Sequence, residues 1–248
     1  NLFVRPAHIP AHRRTSGVML MKRTVILMAL FGGLFAAALP KALTAPTPSD
    51  IPIKWELKFE HQTPRPIRVT LPGEKRPKTF WYMLYTVTNQ TRDDNTGRGT
   101  DRDFIPEFTI YTDTGQAIQA NRRVSSVVFE AIKRQHNNPL LKNHIAITGK
   151  ILFGRDNARD GAAIWPDFDA KAGSFDIFVG GLSGETAVLK LPHPITVTET
   201  GAFGKEQTVT KDKMTLTKML QLNYSVPGEA GSRIHTKATF SFKRWVMR

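Results

Sequence analysis

The chain has 248 residues, no cysteine and a formal net charge of +14. The missing thiols exclude a disulfide framework, thiol catalysis, Cys-ligated zinc, iron–sulfur clusters and covalently attached haem. An apolar fraction of 40%, with many Thr, Val, Ile and Phe, excludes disorder for most of the length.

Residues 1–20 begin without Met and carry Pro6, Pro10, Arg13 and Arg14. They read as a leader translated upstream of a start at Met21 or Met19, with a cytoplasmic tail as the competing reading. Met21-Lys22-Arg23 then precedes seventeen uncharged residues, Thr24 to Pro40. A cationic start, an apolar stretch and small residues after it have the anatomy of an export signal, assigned to residues 21–45. A bilayer span needs about 20 apolar residues. This run is shorter, holds Gly32-Gly33 and stops at Pro40, which leaves an uncleaved anchor as the alternative. The expected location is periplasmic or extracellular, with no nucleic-acid partner and with membrane contact through an uncleaved signal.

Residues 46–52 form a Pro-rich spacer that cannot continue a helix. Beyond it Ile53, Trp55, Leu57 and Phe59 alternate with Lys54, Glu56, Lys58 and Glu60, the period of a half-buried strand. Ile67, Val69 and Leu71 repeat that period between prolines, as an edge strand does. Thr79 to Asn89 is apolar on both faces and predicts a central strand covered on each side. Phe108 to Tyr111 and Ala117-Ile118 flank a turn at Asp113-Thr114-Gly115. Ser125 or Ser126 caps a helix whose Val128, Phe129 and Ile132 share a face, and Asn137-Asn138-Pro139 ends it.

Ile145, Ile147, Ile151 and Phe153 predict a further strand, Phe175, Ile177 and Val179 another, and Ala187 to Leu191 a shorter one. Met214, Leu216, Leu220, Leu222 and Tyr224 keep one face, which Lys218 interrupts. Ala238, Phe240 and Phe242 are expected on the core face of the last strand, joined to it through a loop at Pro227 to Gly231. The expected fold is all-β: an antiparallel immunoglobulin-like β-sandwich over residues 53–248 with one short helix, and a subdivision near 196–213 left open. Its buried set is expected to include Trp55, Leu57, Tyr82, Leu84, Ile147, Ile177, Leu222 and Phe240.

Three phrases carry a resemblance. Tyr85-Thr86-Val87-Thr88-Asn89 resembles the strand ends of envelope immunoglobulin-like domains. His136 to Leu141 (HNNPLL) and Phe175 to Glu185 (FDIFVGGLSGE) are similar to segments of uncharacterised secreted bacterial proteins. The resemblance implies a fold and no activity.

Charge and acids supply the candidate sites. Residues 1–45 hold six basic residues and no acid, so the remainder has 29 basic against 21 acidic residues, a net +8. Lys205 to Arg248 concentrates it, with nine basic residues against three acids. Lys237 and Lys243, of equal parity in the last strand, are expected on its outer face as a surface for an envelope protein, an anionic glycan or anionic lipid. A solubilising strand face is the bland reading.

Trp165, beside Pro166, is expected in a loop as an exposed binding aromatic. Asp156, Asp160 and Asp167 fit the first, fifth and twelfth places of a Ca2+ loop, but Ala158 stands at the third, where a ligand belongs, so a plain surface turn competes. No other cofactor is expected. Gly181-Leu182-Ser183-Gly184-Glu185 lacks the second glycine of a nucleophile elbow. Two functions follow: an exported non-catalytic binding or structural module, or a secreted β-sandwich hydrolase using carboxylates that spacing does not identify.

Overall fold

The computed structural model describes residues 45–93, 95–200, 206–229 and 236–248, with residues 199 and 200 described by backbone alone. The leader and most of the signal assigned to residues 21–45 lie outside the described residues. Residues Ala42 to Arg248 form one compact unit, mostly β-strand. Its strands are β1 (Lys58–His61), β2 (Arg65–Val69), β3 (Lys78–Thr88), β4 (Arg102–Phe104), β5 (Glu107–Thr112) and β6 (Ala117–Gln119). Helices α1 (Ser126–Gln135) and α2 (His144–Ile147) precede β7 (Gly149–Ile151), β8 (Arg159–Pro166) and β9 (Ser174–Gly180). The last three are β10 (Thr186–Thr200), β11 (Glu206–Ser225) and β12 (Thr239–Met247).

Two antiparallel sheets carry the core. In the first, β8 pairs β3 along residues 80–87, while β1 and β2 follow one another along the other edge of β3. In the second, the order is β6–β5–β9–β11–β12. Trp81, Met83, Tyr85, Val87 and Trp165 of the first sheet pack against Phe108, Ile110, Phe175, Ile177, Leu220, Leu222 and Tyr224 of the second. The other face of β3, with Phe80, Tyr82 and Leu84, is covered by Val128, Phe129 and Ile132 of α1. β3 is therefore central and covered on both faces, as its unbroken apolar run predicts. Each such fully buried apolar side chain contributes about 1.5–3 kcal/mol relative to exposure.

Local chemistry fixes α1. The Ser125 side chain accepts the Val127 N–H, and the chain leaves the helix at Asn137 with φ 46°. Asn89 ends β3 fully buried, its Nδ2 donating to the carbonyls of Thr100 (2.8 Å) and Ile151 (3.0 Å). The Tyr85–Asn89 phrase thus has a structural task, tying β3 to β7.

Several expectations need correction. Trp165 is not an exposed loop residue. It lies fully buried in β8, directly opposite Trp81. That strand is hard to see because Gly161, Ala162 and Ala163 have low β-propensity, yet they leave room for the large side chains of β3. Ile145 and Ile147 belong to α2, where the Asn143 side chain accepts the Ile145 and Ala146 N–H groups, not to a strand. The first strand starts only at Lys58, with Ile53 exposed and Trp55 half-buried.

The parity of β12 is also reversed. Tyr224 pairs Phe240 but Asn223 pairs Phe242, so Ser241 is an extra residue, a bulge. From there Lys243 and Trp245 stand opposite core residues Leu222 and Leu220, and Phe242 faces outward. Phe240 is 43% exposed, contrary to its expected burial, while Leu57, Tyr82, Leu84, Ile147, Ile177 and Leu222 are buried.

Candidate functional site

Residues 196–213 belong to a feature the sequence left undecided. Beyond Thr217 the N-terminal part of β11 leaves the sandwich and, among the described residues, pairs only β10, forming a two-stranded ribbon. Register is regular from Thr186↔Thr217 to Lys190↔Lys213 and again from Ile195↔Lys211 to Thr200↔Glu206. The interruption falls at Leu191 to Pro194, where Pro192 and Pro194 have no N–H for the ladder.

Directly paired residues share a face and β11 alternates. One face therefore carries Val188, Lys190, Lys211, Lys213, Ile195, Val197 and Val209, with the Glu199–Gln207 pair next in that register, the other Asp212, Glu206, Met214 and the Thr196–Thr210 and Thr198–Thr208 pairs. Val188 is 62% exposed, Ile195 38% and Val209 36%. Lys190 directly opposite Lys213 is an unfavourable like-charge pair.

The ribbon's root is clamped. Lys218 Nζ donates to the Ser49 carbonyl at 2.8 Å and lies 3.1 Å from Glu185 Oε2, 3.4 Å from Glu56 Oε2 and 5.1 Å from the Trp245 ring centre. The Ser49 N–H donates to Glu185 Oε1 at 2.9 Å. Hydrogen bonds from Ser49, joined by the Lys218 ammonium, hold the Glu185 carboxyl below the usual carboxylate range. Backbone bonds between Thr217 and Arg248 complete the clamp. The Pro-rich spacer is thereby strapped to the point where the ribbon departs. In the sequence only Lys218 gives a signal, a charge inside an apolar run.

A cleft of about 210 Å³ offers the alternative, lined by Glu60, Gln62, Leu84, Thr86, Asn138, Leu141 and Asp160 among others. Glu60, Thr86 and Asp160 form one row across β1, β3 and β8, so two carboxylates face it. Their duties are not those of an acid–base pair. Asp160 accepts from Thr86 Oγ1 at 2.6 Å and from Asn138 Nδ2 at 3.3 Å, both oxygens engaged in joining the post-helix turn to the sheet. Glu60 is 60% exposed and pairs with Lys58 at 3.0 Å. A glycosidic general acid needs a desolvated carboxyl, and neither residue is placed as one. The His136 to Leu141 phrase has its own task here, since His136 Nε2 and the Tyr82 hydroxyl share a hydrogen bond of 2.8 Å.

The sequence candidates do not converge. Asp156 lies exposed in a short turn at Arg155–Asn157, Asp160 is on β8 as described, and Asp167 accepts from Trp81 Nε1 at 3.1 Å. Burial raises the Asp167 carboxyl above the usual range against the Trp81 bond. Among the described residues no three His, Asp or Glu side chains are grouped to hold a metal ion, and Asp160 and Asp167 stand at opposite ends of the extended β8. Lys237 precedes β12, whereas the bulge carries Lys243 to the Leu222 side, beside His61. No helix among the described residues is long and apolar enough to cross a membrane. Comparison with models of known families, with curated proteins and with solved structures gives no match.

Proposed function

We propose that the protein is an exported, non-catalytic envelope module of the immunoglobulin-like sandwich class that engages its partner through the β10–β11 ribbon. The observation that carries this reading is the ribbon itself, two long strands with side chains in water on both faces, rooted in a buried ion cluster. An isolated two-stranded hairpin is marginally stable in water. A rigid root with a ribbon whose aliphatic residues are exposed is the build of a docking element, not of a closed active site. Two antiparallel sheets packed face to face support the sandwich class, and the cationic start with its apolar run supports export.

The test compares the native chain with a variant in which residues 190–213 are replaced by a two-residue turn. Co-purification from envelope fractions should depend on the ribbon, while the thermal transition of the sandwich persists. Retention of every native neighbour by the shortened chain would remove the ribbon's role. N-terminal sequencing of the exported protein should find a start between Leu43 and Ser49.

A further inference from the structure

We infer that the lysine-bearing face of the β10–β11 ribbon seats on an anionic lipid bilayer, an assignment that rests on the docking role of the ribbon. The ribbon sorts most of its charges by face. Lys190, Lys211 and Lys213 stand on one side with Val188, Ile195, Val197 and Val209, and the Glu199–Gln207 pair follows in the same register, while Asp212 and Glu206 stand on the other. Summed over the ribbon the charges nearly cancel, so total charge conceals the surface.

The mixture specifies the partner's chemistry. Lysines alone suit any polyanion, but a soluble glycan gains nothing from the exposed Val188, Ile195 and Val209 between them. A bilayer interface takes both, because aliphatic side chains enter the boundary of headgroups and acyl chains while lysine stems reach back to anionic headgroups. It also relieves the Lys190–Lys213 repulsion and leaves the acidic, threonine-rich face in water. Each lysine near such a surface adds to the attraction.

The experiment uses the compact unit starting at Ala42, which contains both apolar cores and omits the apolar run that would insert into any vesicle. Co-sedimentation is measured with phosphatidylcholine vesicles containing phosphatidylglycerol and with pure phosphatidylcholine. Binding is expected to the anionic vesicles alone and to fall with salt. The variants K190E/K213E and V188S/V209S, each with an unchanged thermal transition, should each partition about tenfold less or weaker still.

Absence of binding to anionic vesicles, or undiminished binding by K190E/K213E, overturns the proposal. Undiminished binding by V188S/V209S overturns it too and assigns a soluble polyanion. If vesicles fail while ribbon-dependent co-purification of an envelope protein persists, the lipid assignment falls and the module reading stands.

Discussion

Lys218 and Glu185 meet at 3.1 Å inside the domain, with 1% and 7% of their side chains exposed. A lysine so enclosed is tolerated because its ammonium donates to the Ser49 carbonyl and forms ion pairs with Glu185 and Glu56. The pair fixes geometry more than it adds stability, since desolvation offsets much of the attraction in a buried pair. Its consequence is mechanical. The spacer, the start of β10 and the middle of β11 are held at one point, from which the ribbon departs.

Removing one partner should therefore be far worse than removing both. Lys218→Met leaves Glu185 buried without its cation and is expected to lower stability by about 3–5 kcal/mol. Lys218→Met combined with Glu185→Leu should recover most of that loss. Urea unfolding of the single and double variants measures the difference, and equal losses would show that the pair is not coupled.

His61 predicts an acid-side loss of stability. Burial lowers its pKa from the ordinary 6.5, helped by the nearby Lys243 ammonium and opposed by a backbone hydrogen bond involving Gln62. Its Nδ1 shares a 2.9 Å hydrogen bond with the Tyr224 hydroxyl, itself shifted upward by burial and so neutral across this range. The folded state thus holds His61 neutral while the unfolded chain takes a proton at its ordinary value. The stabilisation is full above 6.5 and is lost as pH falls through that value toward the lower folded one. His136, also lowered by burial, acts with the same sign. Urea midpoints measured across this range should fall for the native protein and fall less for His61→Gln.

Gly161 is expected to resist substitution. A Cβ there would stand 2.5 Å from Tyr85 Cζ and 2.6 Å from Ile147 Cδ1. Both are buried core residues with nowhere to go. Gly161→Ala should destabilise by about 1–3 kcal/mol through overpacking, read from thermal or urea unfolding. A neutral result would mean that β3 and α2 are free to shift apart.

The features legible in the sequence are those set by local chemistry. Period and propensity mark β3 as doubly covered, the serine cap and three apolar positions mark α1, and Asp113-Thr114-Gly115 marks the turn between β5 and β6. What escapes depends on distant partners. β8 is concealed because its small residues are chosen by Tyr85 and Ile147, which lie elsewhere in the chain. The clamp joins Ser49, Glu56, Glu185 and Lys218, of which only the last stands out locally. The lysine face of the ribbon needs the β10–β11 register, and the proline interruption at Pro192 and Pro194 prevents anyone counting it from the sequence. One inserted residue, Ser241, exchanges the faces of β12.

That exchange yields the sharpest test of the second sheet. Simple alternation would put Phe242 in the core with Leu222, whereas the register sets Phe242 opposite Asn223 on the outer face and Lys243 opposite Leu222. Leu222 is fully buried among Ile177, Tyr224 and their neighbours, and Phe242 is 41% exposed. Leu222→Ala is therefore expected to cost about 2–5 kcal/mol, from lost burial and the cavity left behind. Phe242→Ala, although it removes a larger side chain, should cost less than about 1.5 kcal/mol, because much of its ring is already in water. Unfolding free energies of the two variants decide the matter. Comparable large losses would return Phe242 to the core and abolish the bulge at Ser241.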